Sequence, residues 1–450
     1  MSQKVEILKN IAVSVIESVQ SFSNSKETIT TYRTDPKHFC RSGKLSFSMT
    51  SSLLLSNMSN STAVELYKNL KINNLIQFKS SSFCKNRYKI KASFFEKINA
   101  IAIALIYKMG KDVLKTWHGF TLRAIDGTTF QLPNKADIIA EFGTHKNGSS
   151  NGVITHTPMA RCLVEEDVLN KIFTRVELYP IAKSELSASY DWLLNPSKLT
   201  DLTLFDRNFG NFLTMYLLNT ANKEFVIRLK VGANNVVKEF VRSGLVDEIV
   251  TFRAERGINY DKISVSAGTE MRVRLVRIIL PNGEIEILAT SLFNQTEYLT
   301  AEFGALYNLR WGIETAIDVL KNKFEITSFL AHKAQGIYQE VYATIFDFNI
   351  QQLLVESAQL IVNENIAEKK NTKNGIKYEQ KINNNVTIGI LKFDFLSLWL
   401  SKSVSFFIDI LVETFTKYTV PIRLNRSFIR KKGASKRKSM VTYTNFRRAG

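Results

Sequence analysis

The sequence predicts a mixed α/β protein in which a central region of strands and helices is flanked by helical ends. From residue 1 to about 115, apolar residues recur at helical spacing with almost no Gly or Pro, whereas after Trp117 the pattern alternates with a period of two. Helical patterning resumes near Leu299. At 450 residues and 45% apolar, the chain is long enough for two or three domains with a sizeable core.

The first strands carry acids at notable positions. Residues 120–133 alternate and stop at a proline, and 157–180 predict two strands around an acidic turn. A helix opened by Ser184 is predicted over 184–195, followed by a short apolar strand at 202–206. Three strands, a helix and a strand, with one acid in the first strand and one ending the fourth, is a ribonuclease-H-like order.

Alternation returns at 224–294, where Pro281-Asn282-Gly283 predicts a hairpin turn, so we expect an inserted β-rich region. Residues 367–385 are polar, charged and Asn-rich and predict a flexible loop between the carboxy-terminal helices. The predicted domains are a helical DNA-binding domain (1–115), the first part of the ribonuclease-H-like core (116–223), the β-rich insertion (224–296), the second part of the core with the Glu314 helix (297–362) and a helical carboxy-terminal region with a basic tail (363–450).

The net charge of +19 is concentrated at the two ends of the chain. Residues 1–120 hold 18 Lys and Arg against 7 Asp and Glu, and residues 421–450 hold 10 basic residues and no acid. A near-neutral centre between basic ends fits a catalytic body held on nucleic acid. A protein of an anionic membrane surface is the competing interpretation.

The cysteines and the apolar runs indicate the cellular compartment of the protein. Its three cysteines form no Cys-x-x-Cys pair, and the longest apolar run, 98–107, is too short to cross a bilayer. We therefore expect a cytoplasmic protein with no membrane partner and with reduced thiols.

Two basic segments are candidate DNA contacts. Lys85, Arg87 and Lys89 lie among aromatic residues in 80–99, a mixture that suits phosphate contacts, although an ordinary amphipathic helix with a solvated basic face is equally compatible. Arg430, Lys431 and Lys432 belong to a basic tail that we interpret as a phosphate-binding arm rather than a nuclear signal.

The segment 307–321 gathers polar groups if it is one continuous helix. At about 100° per residue, Tyr307, Arg310, Glu314 and Lys321 fall within an arc of about 60°, while an apolar stripe lies elsewhere on the helix. Arg and Lys bind phosphates and a carboxylate binds a divalent cation, so this face suits a cleaved DNA end. Taken alone, such a face is far more often a solvated face with an Arg–Glu pair.

Asp126 and Asp206 are two further acids that favour a metal-binding function for that helix face. Each lies in or at the end of a predicted core strand, where a lone carboxylate is costly unless it is paired or binds a metal. Two Mg²⁺ ions about 4 Å apart can activate a nucleophile and stabilise the leaving oxygen of a phosphodiester. Carboxylates are ligands that such hard cations prefer.

These motifs resemble those of DDE transposases of the insertion-sequence-four branch of bacterial mobile elements. The Asp-Gly-Thr setting of the first Asp is matched by Asp126-Gly127-Thr128, and that of the second by Asp206-Arg207-Asn208-Phe209. The signature Tyr-x2-Arg-x3-Glu-x6-Lys is matched by Tyr307, Arg310, Glu314 and Lys321, with Trp311 in the usual place after the Arg. The resemblance covers about 120–345.

The resemblance implies a mechanism and partners. Asp126, Asp206 and Glu314 would bind two Mg²⁺ ions, for which Mn²⁺ could substitute, while Tyr307, Arg310, Lys321, Trp311 and Arg207 would contact DNA. The enzyme would cleave at the terminal inverted repeats of its element and join the freed 3′ ends to target DNA. It would act as a homodimer on paired ends and associate with the bacterial nucleoid.

Two other functions remain open at this point. One is a transposase-derived DNA-binding protein that has lost catalysis, and the other is a structure-specific nuclease on the same ribonuclease-H-like fold. Strand-transfer products would separate a transposase from a nuclease.

Overall fold

The computed structural model describes residues 2–41, 43–56, 61–148, 154–194, 201–261, 263–369 and 378–423. The chain divides into two compact units. We call residues 115–131 and 142–318 the sheet unit, and residues 1–114, 132–141 and 319–450 the helical unit. The mixed α/β class predicted from the sequence is confirmed.

The sheet unit contains most of the strands. They are β1 (Thr121–Gln131), β2 (Thr144–Gly148), β3 (Ile154–Asp167), β4 (Ile172–Pro180), β5 (Asp201–Phe205), β6 (Glu224–Leu229), β7 (Asp247–Arg253), β8 (Ile258–Tyr260), β9 (Ile263–Val265), β10 (Glu270–Ile279) and β11 (Ile285–Thr290).

Nine of these described strands form one mixed sheet in the order β2-β3-β1-β5-β6-β11-β10-β7, with β4 also paired to β3. The pairs β1–β5 and β5–β6 are parallel, and the other pairs in the sheet are antiparallel. All five residues of β5 are buried, as expected for a central parallel strand. The region predicted as an insertion therefore continues the same sheet, beginning with β6.

Helices cover this sheet and join its strands. They are α8 (Glu185–Leu194), α9 (Phe212–Thr220), α10 (Asn235–Ser243), α11 (Phe303–Asn308) and α12 (Trp311–Asn322), with a 3₁₀ turn at Thr300–Glu302 before α11. α8 packs on β3 and α9 on β6, which places their apolar residues in the core formed with Ile125, Phe205 and Ile227. The side chain of Asn211 accepts the backbone N–H of Thr214 and so caps the start of α9.

The helical unit contains the two ends of the chain. Its helices are α1 (Gln3–Asn24), α2 (Lys26–Tyr32), α3 (Phe47–Leu55), α4 (Thr62–Ile72), α5 (Ser80–Arg87), α6 (Ser93–Met109), α7 (Ala136–Phe142, ending at the unit boundary), α13 (Ala334–Lys369), α14 (Asn384–Leu400) and α15 (Val404–Thr416), with β12 (Gln380–Ile382) paired to β13 (Thr419–Pro421). Helix α1 packs against α6, α13 and α15 through residues spaced three or four apart, among them Leu8, Ile11 and Val15.

Several local predictions can be compared with these elements. The hairpin at Pro281-Asn282-Gly283 is confirmed, because β10 and β11 pair antiparallel on either side of it and Gly283 has a φ of +83°. The predicted loop at 367–385 lies partly outside the described residues. Within the described part, α13 continues to Lys369 and α14 begins at Asn384.

The two strands predicted over 157–180 are present as β3 and β4, but the acids predicted to form the turn between them lie in β3. Glu165, Glu166 and Asp167 belong to β3, with an irregularity in the pairing between Glu165 and Glu166, and the turn follows at 168–171. A bulge changes which side chains face the core, and here Glu166 and Asp167 are buried. No helix among the residues that the structure describes combines the length and apolarity needed to span a membrane.

The burial of Glu166 predicts a pH-dependent stability. Its side chain is 1% exposed, and its Oε2 has no hydrogen-bond partner within the described residues. Burial, with repulsion from Asp167, raises the pKa of Glu166 from 4.5 to about 8. Because the folded pKa exceeds the unfolded one, this contribution to stability is full below about pH 4.5 and is lost as pH rises through about 8.

We expect Glu166→Gln to flatten the fall in thermal stability between roughly pH 4.5 and pH 8, since glutamine does not ionise. The measurement is the melting temperature of wild type and variant across that range, with Glu239→Gln as control because Glu239 is exposed on α10. Parallel curves for wild type and Glu166→Gln would contradict the assignment.

Candidate active site

The strand register brings two of the predicted acids to the same level of the sheet. β1 and β5 are parallel neighbours, and Ala124 pairs with Leu204. Two residues further along each strand are Asp126 and Asp206, so the same register sets them side by side. Neighbouring strands are about 4.8 Å apart, so the backbones of the two aspartates lie close to one another.

The loop after β5 holds Asp206 in place. Its Oδ1 accepts the backbone N–H of Asn208 at 2.8 Å, and the Phe209 ring is buried against Phe205. Gly210 lies so close to β6 that a Cβ there would stand 2.8 Å from the carbonyl oxygen of Arg228. The tight loop therefore depends on a residue without a side chain at Gly210.

Asp126 is in an environment that disfavours its charge. Burial, with repulsion from Glu185, raises the pKa of Asp126 from 3.8 to about 7. Repulsion from Glu314 adds to the rise, whereas the Gly127 N–H and the Arg310 guanidinium oppose it. These interactions link β1 to α8 and α12 within one electrostatic cluster.

Glu185 is a member of this cluster that sequence reasoning missed. It is the first residue of α8, and its Oε1 accepts the Gly127 N–H at 2.7 Å, while Asp126 Oδ1 accepts the same N–H at 2.9 Å. Burial, with repulsion from Asp206, raises the pKa of Glu185, and the nearby Arg161 acts in the opposite direction. An acid in the first turn of a helix is common, so its position alone gave no signal.

Glu314 is held by Arg310, which directly precedes its helix. It lies in the first turn of α12, and Arg310 Nη2 donates to Glu314 Oε1 at 2.8 Å. Arg310 is 5% exposed and its guanidinium packs on the ring of Trp311, 4.9 Å from the centroid. The buried Nε of Arg310 has no hydrogen-bond partner in the part of the chain that the structure describes.

The four carboxylates have the chemistry of a site for a hard divalent cation. All their donors are oxygens, and the mutual repulsion that disfavours their charges is what a bound cation relieves. The Glu185 carboxylate packs directly against Gly127, where a Cβ would stand 2.6 Å from its Oε1. Among the described residues, no three His, Cys, Asp or Glu side chains converge closely enough to hold a metal ion. The carboxylates therefore interact with one another without forming a complete set of metal ligands.

Comparison with protein families gives this cluster its context. The model described as Transposase DDE domain matches residues 117–349, more than half of the chain, a range that includes Asp126, Asp206 and Glu314. The chain belongs to the Transposase DDE domain family.

Other comparisons with this DDE transposase-domain protein are distant. Among solved structures it is similar to a piggyBac transposase seen by cryo-EM in a synaptic complex with hairpin DNA, with 8% sequence identity and a TM-score of 0.42. That similarity covers 95% of this chain and 90% of the other. No curated protein sequence matches the chain.

The single helix predicted across the transposase signature is wrong. α11 ends at Asn308 and α12 begins at Trp311, and the residues between them form tighter turns in which Arg310 N–H donates to the Tyr307 carbonyl. Tyr307 therefore lies on a different helix from Glu314. The predicted apolar stripe is buried at Leu306, Ile313, Ile317, Leu320 and Phe324, whereas Leu309 is exposed.

The bend directs Tyr307 into the core rather than toward solvent. Its side chain is 3% exposed and its hydroxyl donates to the carbonyl oxygen of Phe205 at 3.2 Å. Burial raises the pKa of Tyr307 to about 12, so the phenol stays protonated and keeps donating. It anchors α11 to the end of β5, one residue before Asp206, which leaves no direct phosphate contact for the hydroxyl.

We expect Tyr307→Phe to lower the free energy of unfolding by about 1 kcal/mol, because it removes one buried hydrogen bond and leaves the ring in place. Affinity for DNA should not change. Chemical denaturation and a gel-shift titration measure the two quantities. Unchanged stability with weaker DNA binding would instead support the phosphate contact of Tyr307 that the sequence predicted.

The other predicted contacts lie in different settings. Trp311 is 53% exposed at the start of α12, and Arg207 is exposed immediately after Asp206, so both are accessible near the acids. Lys321 is half-buried in the last turn of α12 and belongs to the helical unit. Arg430, Lys431 and Lys432 lie outside the described residues.

Of the basic residues in the amino-terminal segment, Arg87 requires a correction. Lys85 is exposed and Lys89 is half-buried, but Arg87 is 2% exposed. Its guanidinium donates to Glu340 Oε1 at 2.6 Å, to Gln339 Oε1 at 3.1 Å and to the Gly336 carbonyl at 3.1 Å. These three bonds hold the guanidinium of Arg87 against α13, so it is not placed for the DNA contact predicted from the sequence.

Proposed function

We propose that this protein is a DNA transposase of the insertion-sequence-four branch, which cleaves and joins phosphodiester bonds at the ends of its element. One observation carries the proposal. Three acids from separate elements, Asp126 on β1, Asp206 after β5 and Glu314 on α12, belong to one carboxylate cluster inside the family-matched region.

The proposed fold of the catalytic core is ribonuclease-H-like. Supporting it, three antiparallel strands, β1, β3 and β4, precede a helix and two parallel strands, β5 and β6. Asp126 is on β1, and Asp206 directly follows its parallel neighbour β5. The extension through β11, β10 and β7 is the β-rich insertion of our proposal.

The proposed metal ligands are Asp126, Asp206 and Glu314. Two Mg²⁺ ions, or Mn²⁺ in their place, would supply activation of the attacking hydroxyl and stabilisation of the leaving oxygen. The protein's own part is positional: Arg310 holds the Glu314 carboxylate, and Tyr307 fixes the end of β5 beside Asp206. We also propose that Arg310 contacts a phosphate of the bound DNA, as its place in the signature implies.

The proposed partners are double-stranded DNA at the terminal inverted repeats of the element and target DNA. Arg207, Trp311 and Lys85 are accessible enough to contact it, and Lys321, Lys89 and the basic tail complete the proposed set. We also propose that residues 1–115 bind DNA, that two copies pair on the element ends, and that the protein acts at the nucleoid in the cytoplasm.

The deciding experiment is a cleavage assay on the element's own end. Purified protein is incubated with a labelled duplex and Mg²⁺ or EDTA, and the products are resolved on a denaturing gel. We expect Mg²⁺-dependent nicks or hairpins at the end and strand-transfer products when target DNA is added. Nicks without transfer would indicate a nuclease, and binding without any product would indicate a DNA-binding protein derived from a transposase.

A further inference from the structure

A buried ion pair fastens the segment that leads from the sheet to the Glu314 helix. Arg274 is fully buried in β10, and its guanidinium makes two hydrogen bonds to the carboxylate of Asp247, the first residue of β7. The two N–O distances are 3.0 and 2.6 Å. The segment, residues 291–302, lies between the end of β11 and the start of α11, and we call it the connector.

Both members of the pair also hydrogen-bond to the connector. Arg274 donates to two of its backbone carbonyls, each at 2.9 Å, and Asp247 accepts from two of its side chains. In chain order, these partners are the Leu292 carbonyl, the Gln295 amide, the Tyr298 carbonyl and the Thr300 hydroxyl. The pair therefore holds the connector at four positions along its length.

The helix that follows the connector is fixed near both of its ends. Phe303, the first residue of α11, is buried beneath the Arg274 guanidinium, whose central carbon is 5.0 Å from the ring centroid. Near the other end of α11, Tyr307 donates to the Phe205 carbonyl. α11 therefore bridges the Arg274–Asp247 pair and the end of β5.

Backbone hydrogen bonds continue from α11 into α12. The N–H groups of Leu309 and Arg310 donate to carbonyls of α11. The carbonyls of these two residues in turn accept from Gly312 and Ile313 in α12. A displacement of α11 is therefore transmitted to the first turn of α12, where Glu314 lies.

Burial makes the Arg274–Asp247 pair a weak source of stability. Two charges lose their hydration when they leave water, and their mutual attraction often does no more than offset that loss. Replacing both members of such a pair together is therefore often neutral for stability. A fixed pair can instead select one arrangement of the groups bound to it, and here those groups belong to the connector.

We propose that Arg274 and Asp247 are positioning residues of the cleavage reaction, which set the place of Glu314 through the connector and α11. The proposal rests on the proposed function, since it takes Glu314 as a residue of the cleavage site. It gives β7 and β10 a part in catalysis that requires no contact with DNA.

The double variant Arg274→Met with Asp247→Asn separates positioning from stability. It removes both charges together, and the asparagine oxygen can still accept from Gln295 and Thr300. We expect the midpoint of denaturant unfolding and the affinity for the labelled element-end duplex to stay close to their wild-type values. Single-turnover cleavage of that duplex should be about 100-fold slower, because a small misplacement of a reacting group lowers the rate.

Limited proteolysis reports on the connector without DNA or catalysis. Glu297 is exposed in the connector, and a glutamate-specific protease cuts a folded protein where the backbone opens locally. We expect the double variant to be cut after Glu297 about 10-fold faster than wild type under native conditions, with mass spectrometry identifying the cut.

The matched control is Arg253→Met with Glu270→Gln, which removes an exposed ion pair between the same two strands. It should match wild type in unfolding, proteolysis and cleavage. If the Arg274–Asp247 double variant cleaves DNA at the wild-type rate, or loses rate only as it loses folded protein, the pair is structural and the inference is overturned. If the wild-type protein itself leaves the duplex uncut, the proposed function fails, and the proteolysis alone decides whether the pair holds the connector.

Discussion

Replacing Glu314 by glutamine is expected to lower the rate of strand cleavage by on the order of 10³-fold while leaving affinity for element-end DNA nearly unchanged. The reason is that the substitution removes a proposed metal ligand and not a DNA contact. Glutamine is isosteric and its amide oxygen can still accept from Arg310, so α12 keeps its first turn. Single-turnover cleavage on the labelled end and a gel-shift titration measure the two effects.

The matched control for Glu314 is again Glu239→Gln, which should cleave at the wild-type rate because Glu239 is exposed on α10. Loss of DNA binding in Glu314→Gln would contradict the assigned role and point instead to a structural or DNA-contacting glutamate. A cleavage rate of Glu314→Gln within a few-fold of the wild-type rate would show that Glu314 is not a metal ligand.

Replacing Arg87 by alanine is expected to lower the free energy of unfolding of the helical unit by about 3–5 kcal/mol. The substitution leaves the half-buried Glu340 without its ion-pair partner and removes hydrogen bonds to Gln339 and the Gly336 carbonyl. An uncompensated buried charge costs more than the intact pair contributes. Denaturant unfolding followed by helical circular dichroism is the measurement.

Lys85→Ala is the control for Arg87, because Lys85 is exposed on the same helix and its loss should change stability by less than about 0.5 kcal/mol. The double variant Arg87→Met with Glu340→Gln should recover much of the loss, since it removes both charges together. Wild-type stability of Arg87→Ala combined with weaker DNA binding would instead support the contact that the sequence suggested.

Much of the sheet unit could be predicted because its signals are local. Alternation and a terminating proline indicated β1, an unbroken apolar run indicated β5, and the Pro281-Asn282-Gly283 turn indicated the β10–β11 hairpin. The spacing of Arg310 and Glu314 predicted their ion pair, and the structure contains it even though the helix bends before Trp311.

The remainder depended on contacts that are distant in sequence. The bend between α11 and α12 is not marked by a proline or a glycine pair, so a continuous helical wheel placed Tyr307 beside Glu314. Arg87 and Lys85 are both basic residues of one helix, and only the bonds of Arg87 to α13, with its burial, distinguish them. Glu185 belongs to the site because the chain folds back 58 positions later against Gly127.

The pairing of β1 with β5 also determines which changes in these strands leave the two aspartates in position. The distance between their backbones is set by the spacing of neighbouring strands. It does not depend on the identity of the apolar side chains along either strand. Exchanging one apolar residue for another in these strands leaves that spacing unchanged. Inserting or deleting a single residue in β1 between Ala124 and Asp126 would instead turn the carboxylate to the opposite face of the sheet. The register of the strand, more than its composition, therefore determines where the two aspartates lie.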